Sequence, residues 1–461
     1  MADVTGSNVT PAEDVDVRDV DVSEPHAAAR AAARAAWCVG VTYVLLTLQA
    51  VTLTGRIIDE ADGPAAGPSA KPYHVALLVL GLLVLRRGRV VRWRPEMACY
   101  FAVTCVSSAA AYLSFGARAF LANMLVAAFA ATVAATLGYL AGPARTLVAL
   151  RAAAAVTAVA VCVKLVAFRD LFLAFFAAPD GHPLIPGFFG GGPNLEATWV
   201  AAAGLFFLGT PWGVPYALVS LVISVLYVSR IGIMVAVAVL VTAAVRARRA
   251  RRAAALVRHS AARTRLAVRR VAVAACLVGA CGLGARAVGR ALPSDGVTAY
   301  LAERFATVGE DKGSQGRLTL WRAAADVFAA HPFGVGQGNA MDAVAHAAGE
   351  ALPEDNLHNQ FLQHLVETGP QGCLAYVVLA VLTWARAVTT RGRDPLVLFC
   401  ALYFLLSTVQ FRGADALLWF VYGLQVGGDR RRGRAAPAPR ARTAAARTTG
   451  PAPFVIQSLP A

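Results

Sequence analysis

The chain has 461 residues, of which 57% are hydrophobic and 15% are charged, and its mean hydropathy is +0.57. A soluble globular domain carries about 25% charged residues, so this composition excludes an ordinary soluble protein. The formal net charge of +16 would suggest nucleic-acid binding in a soluble protein. In a membrane protein the same excess follows from basic residues retained on the cytoplasmic side, so no nucleic-acid partner is expected.

The apolar residues form long continuous runs without polar alternation, which indicates membrane helices rather than a β-barrel. We therefore predict an all-α polytopic membrane protein with about 12 transmembrane helices. Several runs are shorter than the ~20 residues that a perpendicular span needs. The runs are 35–54, 73–85, 95–115, 118–141, 149–177, 196–210, 213–228, 230–245, 268–289, 367–389, 395–411 and 413–427.

The segments around these runs complete the predicted organisation. Residues 1–34 are expected to form a disordered acidic cytoplasmic tail, and 428–461 a disordered basic one. Residues 35–289 hold transmembrane helices 1–9, and 367–427 hold helices 10–12. One large extracytoplasmic loop, 290–366, contains short helices. With the N-terminus inside, most of the 43 Lys and Arg residues fall on the cytoplasmic side. The charge pattern thus predicts a multi-pass protein of the cell membrane with both termini cytoplasmic.

A short helix is predicted in this loop, beginning near Gly316 with Ser314 as its cap and ending at His331 before a proline. It could lie in the membrane interface with Trp321 as its anchor. Its apolar positions recur at helical spacing, and three charged residues supply the polar positions. The apolar positions are Leu318, Trp321, Ala325 and Phe328, and the charged residues are Arg317, Arg322 and Asp326.

A glycine-rich segment, Gly334-Val-Gly336-Gln-Gly338, follows the predicted helix. Its glycine density is that of a nucleotide-binding loop, but no strand precedes it, so a tight turn is the better interpretation. A polar segment from Asn356 to Gly372 then continues directly into the next predicted span.

Four motifs in this order resemble the O-antigen ligase and O-antigen polymerase superfamily. They cover roughly residues 190–385, whereas the N-terminal half shares only a hydrophobic pattern. The motifs are Gly192-Pro193-Asn194, Ser229-Arg230-Ile-Gly232, Arg317 with Trp321 before HPFGVGQGN, and LHNQFLQHLVETGPQG from Leu357 to Gly372.

The resemblance implies an inverting, metal-independent glycosyltransferase without a cofactor. Its lipid-linked glycan donor would be a polyprenyl (undecaprenyl) diphosphate, and its acceptor a hydroxyl of a glycan, a lipid or a protein. By motif, Arg230 and Arg317 would bind the diphosphate and His358 would be catalytic. The residue types fit these roles, because Arg stays protonated and pairs bidentately with phosphate oxygens. An imidazole can accept a hydroxyl proton near neutral pH.

Four further residues are candidates for the site. Lys164 and Arg169 lie near the outer end of one predicted span and could extend the diphosphate site. Glu367 could form the rim of the site or pair with an Arg, and Asn359 belongs to the His-Asn motif.

Simpler structural roles stand beside each main assignment. Arg230 could snorkel to the outer headgroups, Arg317 could belong to a solvated helix face, and His358 could cap a helix beside Asn356. The other loop histidines, His331, His346 and His364, are interpreted as structural.

Two other features are set aside, and one rival function stays open. The pairs Asp14/Asp16 and Asp19/Asp21 resemble a metal-binding Asp-x-Asp motif but fall in the cytoplasmic tail, and Cys276 and Cys281 lie in a span without His partners. No metal site is therefore expected. Twelve spans with both termini inside also fit a polysaccharide transporter or flippase, although the halves show no repeat.

Overall fold

A computed structural model describes residues 23–51, 53, 70–86, 91–115, 120–170, 187–189, 192–256, 312–349, 356–409 and 415–435. Throughout this part of the chain the regular structure is helical, and no β-strand occurs in it. The α-helices are α1 (Ser23–Thr47), α2 (Pro72–Arg86), α3 (Pro95–Phe115), α4 (Phe120–Ala141), α5 (Pro143–Ala167), α6 (Gly192–Ala203), α7 (Gly213–Leu226), α8 (Arg230–Leu256), α9 (Lys312–Ala330), α10 (Ala340–Ala348), α11 (Gln360–Thr389), α12 (Pro395–Leu406) and α13 (Ala416–Ala435).

Each predicted apolar run that falls on described residues coincides with a helix, and the run 268–289 lies outside them. Within the described ranges, four helices are long and apolar enough to cross a membrane. These segments are Met124–Ala141, Pro143–Ala167, Arg230–Ala250 and Gln360–Thr389. Shorter apolar helices, such as α2, α7 and α12, accompany them. The helical class is thus confirmed, whereas the total of twelve spans stays a prediction.

The structure moves several helix boundaries. Helix α1 begins at Ser23, whereas the predicted disordered tail extended to residue 34. Residues 23–34 are therefore helical. That segment is rich in Ala, the strongest helix former, which extends the helix beyond its apolar part. For the same reason α8 continues through an Ala- and Arg-rich segment to Leu256.

Helices α4 and α13 approach each other closely, because small residues line both surfaces. A Cβ added at Gly138 would lie 2.7 Å from the carbonyl oxygen of Leu424, and Gly423 and Gly427 press against the α4 backbone in the same way. Close backbone approach at small residues is the usual packing mode of membrane helices. Large aromatic side chains fill the neighbouring space, including Tyr100 stacked on Trp419 at 5.0 Å.

A second, smaller apolar core lies apart from the core of the bundle. It joins α9, α10, the glycine-rich turn and the start of α11 through Leu320, Val327, Val335, Val344 and Val366. We call these elements the loop unit. Its own core allows this part of the chain to hold polar side chains in fixed positions.

Candidate active site

Arg230 is the first residue of α8 and is half-buried. The residues around it in the Ser229-Arg230-x-Gly232 motif have local structural roles. The buried Ser229 hydroxyl accepts a hydrogen bond from the Gly232 N–H at 3.1 Å, which caps the helix. A Cβ at Gly232 would lie 3.0 Å from the Ala197 Cβ, so only glycine fits between the helices. The motif therefore holds the start of α8 in place and presents Arg230 there.

The Gly192-Pro193-Asn194 motif contacts the same turn. The Ser229 hydroxyl donates to the Asn194 carbonyl at 3.2 Å, and the Thr198 hydroxyl donates to it at 2.8 Å. Val228, just before the motif, has a φ of 51°, a conformation that is costly for a β-branched residue. Two motifs separated in sequence thus form one turn at the start of α8.

Beneath this turn lies a buried charged cluster that the sequence analysis did not identify. The Lys164 ammonium contacts the Glu196 carboxylate at 2.5 Å, and both side chains are almost completely buried. The same carboxylate accepts hydrogen bonds from the Tyr227 hydroxyl and the Phe188 N–H, both at 2.6 Å. A carboxylate at the edge of an apolar run was the available signal, because such groups need partners in a membrane.

The proposal that Lys164 and Arg169 extend the diphosphate site stays a prediction, and the structure shows the surroundings of each side chain. Lys164 neutralises Glu196 inside the protein, which argues against a direct role in a diphosphate site. Helix α5 ends at Ala167, and the Arg169 side chain beyond it is 71% exposed beside Asp170. The two cations were expected to act together, but they have different surroundings because the helix ends between them.

In the loop unit, Arg317 lies on the side of α9 that packs inward. The buried positions of α9 are Leu320, Ala323, Ala324 and Val327, whereas Arg322 and Asp326 are exposed. Arg317 itself is half-buried, one turn before Trp321 on the same face. A fully solvated face therefore does not describe its position.

The predicted start and apolar face of this helix are wrong in detail. Leu318 and Ala325 are exposed rather than packed. The helix begins at Lys312, so Ser314 lies inside it and does not cap it. The Trp321 indole N–H donates to the Leu357 carbonyl at 2.8 Å within the protein, so this side chain has a packing role in addition to the predicted one as a membrane anchor. The predicted end is correct, since α9 stops at Ala330.

The bond from Trp321 reaches the residue next to His358. The buried Leu357 precedes His358, whose φ of 50° lies in the left-handed region. The Asn356 side chain accepts the His358 N–H at 2.9 Å and stabilises this turn. Such backbone conformations cost free energy and are concentrated at functional sites.

Asn359, rather than His358, is the residue that caps α11. Its side chain accepts the Leu362 N–H at 3.1 Å, so the alternative in which His358 caps this helix is wrong and Asn359 has a structural role. The His358 side chain is half-buried. Trp321 and Leu357 connect the helix that bears Arg317 to the turn that bears His358.

The glycine-rich segment is a tight turn, as predicted. Gly334, Gly336 and Gly338 have φ values of 93°, 93° and 85°. The turn binds α11 through N–H bonds from Val335 to the Val366 carbonyl at 2.9 Å and from Gly336 to the Glu367 carbonyl at 2.8 Å. Directly beyond this contact α11 breaks at Gly369, where φ is 71°.

The Glu367 side chain is buried against this turn and does not line an exposed rim. Its buried carboxylate accepts the Gly338 N–H at 3.1 Å and the Gln363 side-chain amide at 2.9 Å. Among the described residues it forms no ion pair, so the expected Arg partner is not found there. The carboxylate fixes the glycine-rich turn against the first part of α11.

The other histidines differ in their surroundings. His364 is completely buried, with its Nε2 3.2 Å from the Tyr100 hydroxyl, in keeping with a structural role. His331 and His346 are exposed. In the described ranges, no group of three or more His, Cys, Asp and Glu side chains could hold a metal ion.

Arg317, His358 and Glu367 therefore belong to one packed unit, and Arg230 belongs to the neighbouring group of helices α6–α8. Helix α12 contacts both groups, since it packs on α6 and on α11. The carbonyl of Ser407, the residue that follows α12, accepts the Gln360 N–H at 2.7 Å. The approach of Arg230 to Arg317 and His358 stays a prediction.

Throughout the described ranges the protein is helical, with helices apolar and long enough to cross a membrane, and together with the polar residues beside them this composition is that of an integral membrane protein. Residues 215–377 match the family model described as O-Antigen ligase. The matched residues include three of the four sequence motifs, whereas Gly192-Pro193-Asn194 precedes them, and the match supports the resemblance to the O-antigen ligase and polymerase family. It also supports a glycosyltransferase activity of that broad type in polysaccharide biosynthesis. No curated protein matches the chain.

Proposed function

We propose that the protein is an inverting glycosyltransferase that moves a glycan from undecaprenyl diphosphate to an acceptor hydroxyl in surface polysaccharide biosynthesis. The observation that carries this proposal is the His358 turn. Its left-handed residue is fixed by Asn356, and Trp321 of the helix bearing Arg317 bonds to Leu357 beside it. The O-antigen ligase match over 215–377 includes all of these residues.

In the proposed reaction, the acceptor oxygen attacks the anomeric carbon from the face opposite the diphosphate. The bond from that carbon to the phosphate oxygen breaks, and the lipid diphosphate leaves. The acceptor's hydroxyl proton passes to the His358 imidazole, which acts as general base. Arg230 and Arg317 neutralise the charge that develops on the leaving diphosphate. The two guanidinium groups supply this charge themselves, so the reaction requires no metal.

The proposed setting is the outer face of the cell membrane, with about 12 spans and both termini cytoplasmic. The acceptor decides between two forms of the same chemistry. A polymerase would use a second lipid-linked glycan, and a ligase would use another lipid, a protein or a wall polymer. The family match does not favour the transporter alternative.

The test is transfer by the purified protein in detergent, with a polyprenyl-diphosphate glycan as donor. Loss of a general base lowers the rate by about 10²–10⁴-fold, so we expect a loss of that size in His358→Ala. A loss is also expected in Arg317→Ala, because the developing charge is then not neutralised. His346→Ala and Arg322→Ala are the matched controls, because both side chains are exposed in the same loop unit.

Three outcomes would contradict the proposal. The first is wild-type transfer by the His358 and Arg317 variants, and the second is a product that retains the anomeric configuration of the donor. The third is movement of labelled donor across proteoliposomes without transfer, which would identify a transporter. Chelation with EDTA should leave the rate unchanged. Supplying a second lipid-linked glycan or a different acceptor would separate polymerase from ligase.

A further inference from the structure

The end of the bundle remote from the candidate site contains a polar cavity of about 620 Å³. It lies between the first turn of α5, the end of α11, the start of α12 and Arg432 of α13. Helix α5 runs from Pro143 at this cavity to Lys164 in the cluster beneath the Arg230 turn. At 1.5 Å per residue, that separation is about 32 Å. The cavity and the candidate site therefore lie about one membrane thickness apart.

The charges that line the cavity are not balanced. Asp394 is paired with Arg432 at 2.6 Å and also caps α12 by accepting the Leu396 N–H at 3.0 Å. Arg391 and Arg393 also line the cavity, and neither has an acidic partner among the described residues. Both side chains are exposed. Two positive charges in the lining are thus left for a ligand.

The acidic groups near this end already have cationic partners. Asp429 contacts Arg94 and also Arg432. Glu96 contacts Arg386 and lies 4.0 Å from Arg94. No described carboxylate in this network is therefore left to neutralise Arg391 and Arg393.

The turn that bears the two arginines is fixed in shape. Arg391 has a φ of 51° and Gly392 a φ of 63°. The Gly392 N–H donates to the Ala387 carbonyl at 2.8 Å, and its own carbonyl accepts from Arg246 of α8 at 2.5 Å. The turn thus fixes the backbone beside two arginines that have no acidic partner in the described part of the chain, and Arg can bind phosphate oxygens bidentately.

The remaining lining is apolar and includes Leu147, Leu396 and Pro143. Helix α5 starts at Pro143 without a side-chain cap, so its free N–H groups add positive potential beside the cavity. We propose that this cavity binds the phosphate-bearing headgroup of an anionic membrane lipid. Arg391 and Arg393 would contact the phosphate, and the apolar lining would contact the glycerol and the first part of the acyl chains.

This proposal is independent of the transfer reaction and is tested by binding. The full-length protein in neutral detergent is titrated with phosphatidylglycerol, and with phosphatidylcholine of the same acyl chains, by native mass spectrometry. We expect one phosphatidylglycerol to bind about 25-fold more tightly, because each of the two cations near an anionic lipid contributes roughly fivefold. The variant Arg391→Gln/Arg393→Gln should lose this preference.

The matched control is Arg248→Gln/Arg249→Gln. These two exposed arginines belong to α8 and lie at the same end of the bundle as the cavity, but they are not part of its lining. Retained preference in the Arg391/Arg393 variant, or equal loss in the control, would overturn the proposal. Leu147→Trp adds bulk to the cavity at constant charge and should also weaken binding. Thermal unfolding checks that each variant is folded. Arg391 and Arg393 are exposed, so their replacement should leave the fold intact. The test therefore remains decisive even if Leu147→Trp does not fold.

A competition with inorganic phosphate at millimolar concentration distinguishes a lipid headgroup from free phosphate as the ligand of this cavity. We expect it to leave the bound lipid in place, because it lacks the apolar contacts. Displacement of the lipid by phosphate would show a site for free phosphate instead and overturn the lipid assignment.

Discussion

Trp321 provides the link between the two proposed catalytic residues of the loop unit. Its indole N–H bond to the Leu357 carbonyl at 2.8 Å fixes the backbone next to His358. Trp321→Phe keeps an aromatic ring there and removes this hydrogen bond, at a cost of about 1 kcal/mol in stability. We expect transfer to slow by about tenfold or more, because small displacements of a catalytic group are costly.

The measurement is steady-state transfer together with thermal unfolding. A purely structural role for Trp321 would lower the unfolding temperature without changing kcat in the folded protein. We expect a lower kcat at nearly unchanged KM for the donor. Trp384→Phe is the control, since its indole also donates to a backbone carbonyl, that of Ala401 at 2.8 Å.

Lys164 and Glu196 allow a second test at the level of residues. Glu196→Gln leaves the buried Lys164 without its carboxylate, and breaking a buried ion pair costs about 3–5 kcal/mol. The double variant Lys164→Met/Glu196→Gln removes both charges and should regain most of the lost stability. We expect it to transfer glycan at close to the wild-type rate, because the Lys164 ammonium is paired with Glu196 inside the protein.

Thermal unfolding and donor KM together check this expectation. If Lys164 contacted the diphosphate instead, the double variant would be stable but would show a strongly raised donor KM.

Among the elements, the contact between the glycine-rich turn and α11 depends on the absence of a side chain at Gly334. Its φ is 93°, and a Cβ there would lie 2.5 Å from the Glu367 carbonyl oxygen. Gly334→Ala therefore adds a clash to the ~1–2 kcal/mol cost of a left-handed alanine. We expect a clear loss of thermal stability and of transfer, because the turn must move away from α11.

Gly349→Ala is the matched control for this effect. Gly349 also has a positive φ, of 72°, but a Cβ there would meet nothing within 4 Å. Equal losses in both variants would show that backbone strain alone, and not the contact with α11, explains the result.

The positions of the bundle helices could be predicted, because each corresponds to an apolar run in the sequence. Their ends could not be predicted as well, since Ala-rich segments such as the start of α1 extend a helix without adding apolar surface. The packed face of α9 was also missed. Leu318 is exposed there, because the loop unit buries the adjacent face with Leu320 and Val327, and spacing alone does not choose between neighbouring faces.

The motif residues were found from their resemblance, but their contacts depend on tertiary structure. The bond from Trp321 to the Leu357 carbonyl joins segments that are separate in sequence. The pairing of Lys164 with Glu196 likewise needs α5 and α6 to pack together. Neither contact leaves a periodic signal in the chain.

Across the whole molecule, the charges differ at the two ends of the bundle. Helix α8 begins with Arg230 in the candidate site and reaches the basic end, where Arg246 binds the turn of Gly392. A membrane span of 21 residues over Arg230–Ala250 corresponds to about 32 Å, close to the bilayer's hydrocarbon core. The positive-inside rule then predicts that the basic end is cytoplasmic and the loop unit is outside.

This orientation predicts which exposed positions an impermeant reagent can reach. In a cysteine-free background, His346→Cys should react with a membrane-impermeant maleimide in intact cells, whereas Arg248→Cys should react only after permeabilisation. Both side chains are exposed, so access is limited by the membrane rather than by burial. The reverse labelling pattern would show the opposite orientation. His358 would then lie on the cytoplasmic side, away from a donor on the outer face of the membrane. Labelling of both in intact cells would show that the loop unit and the basic end do not lie on opposite faces of the membrane.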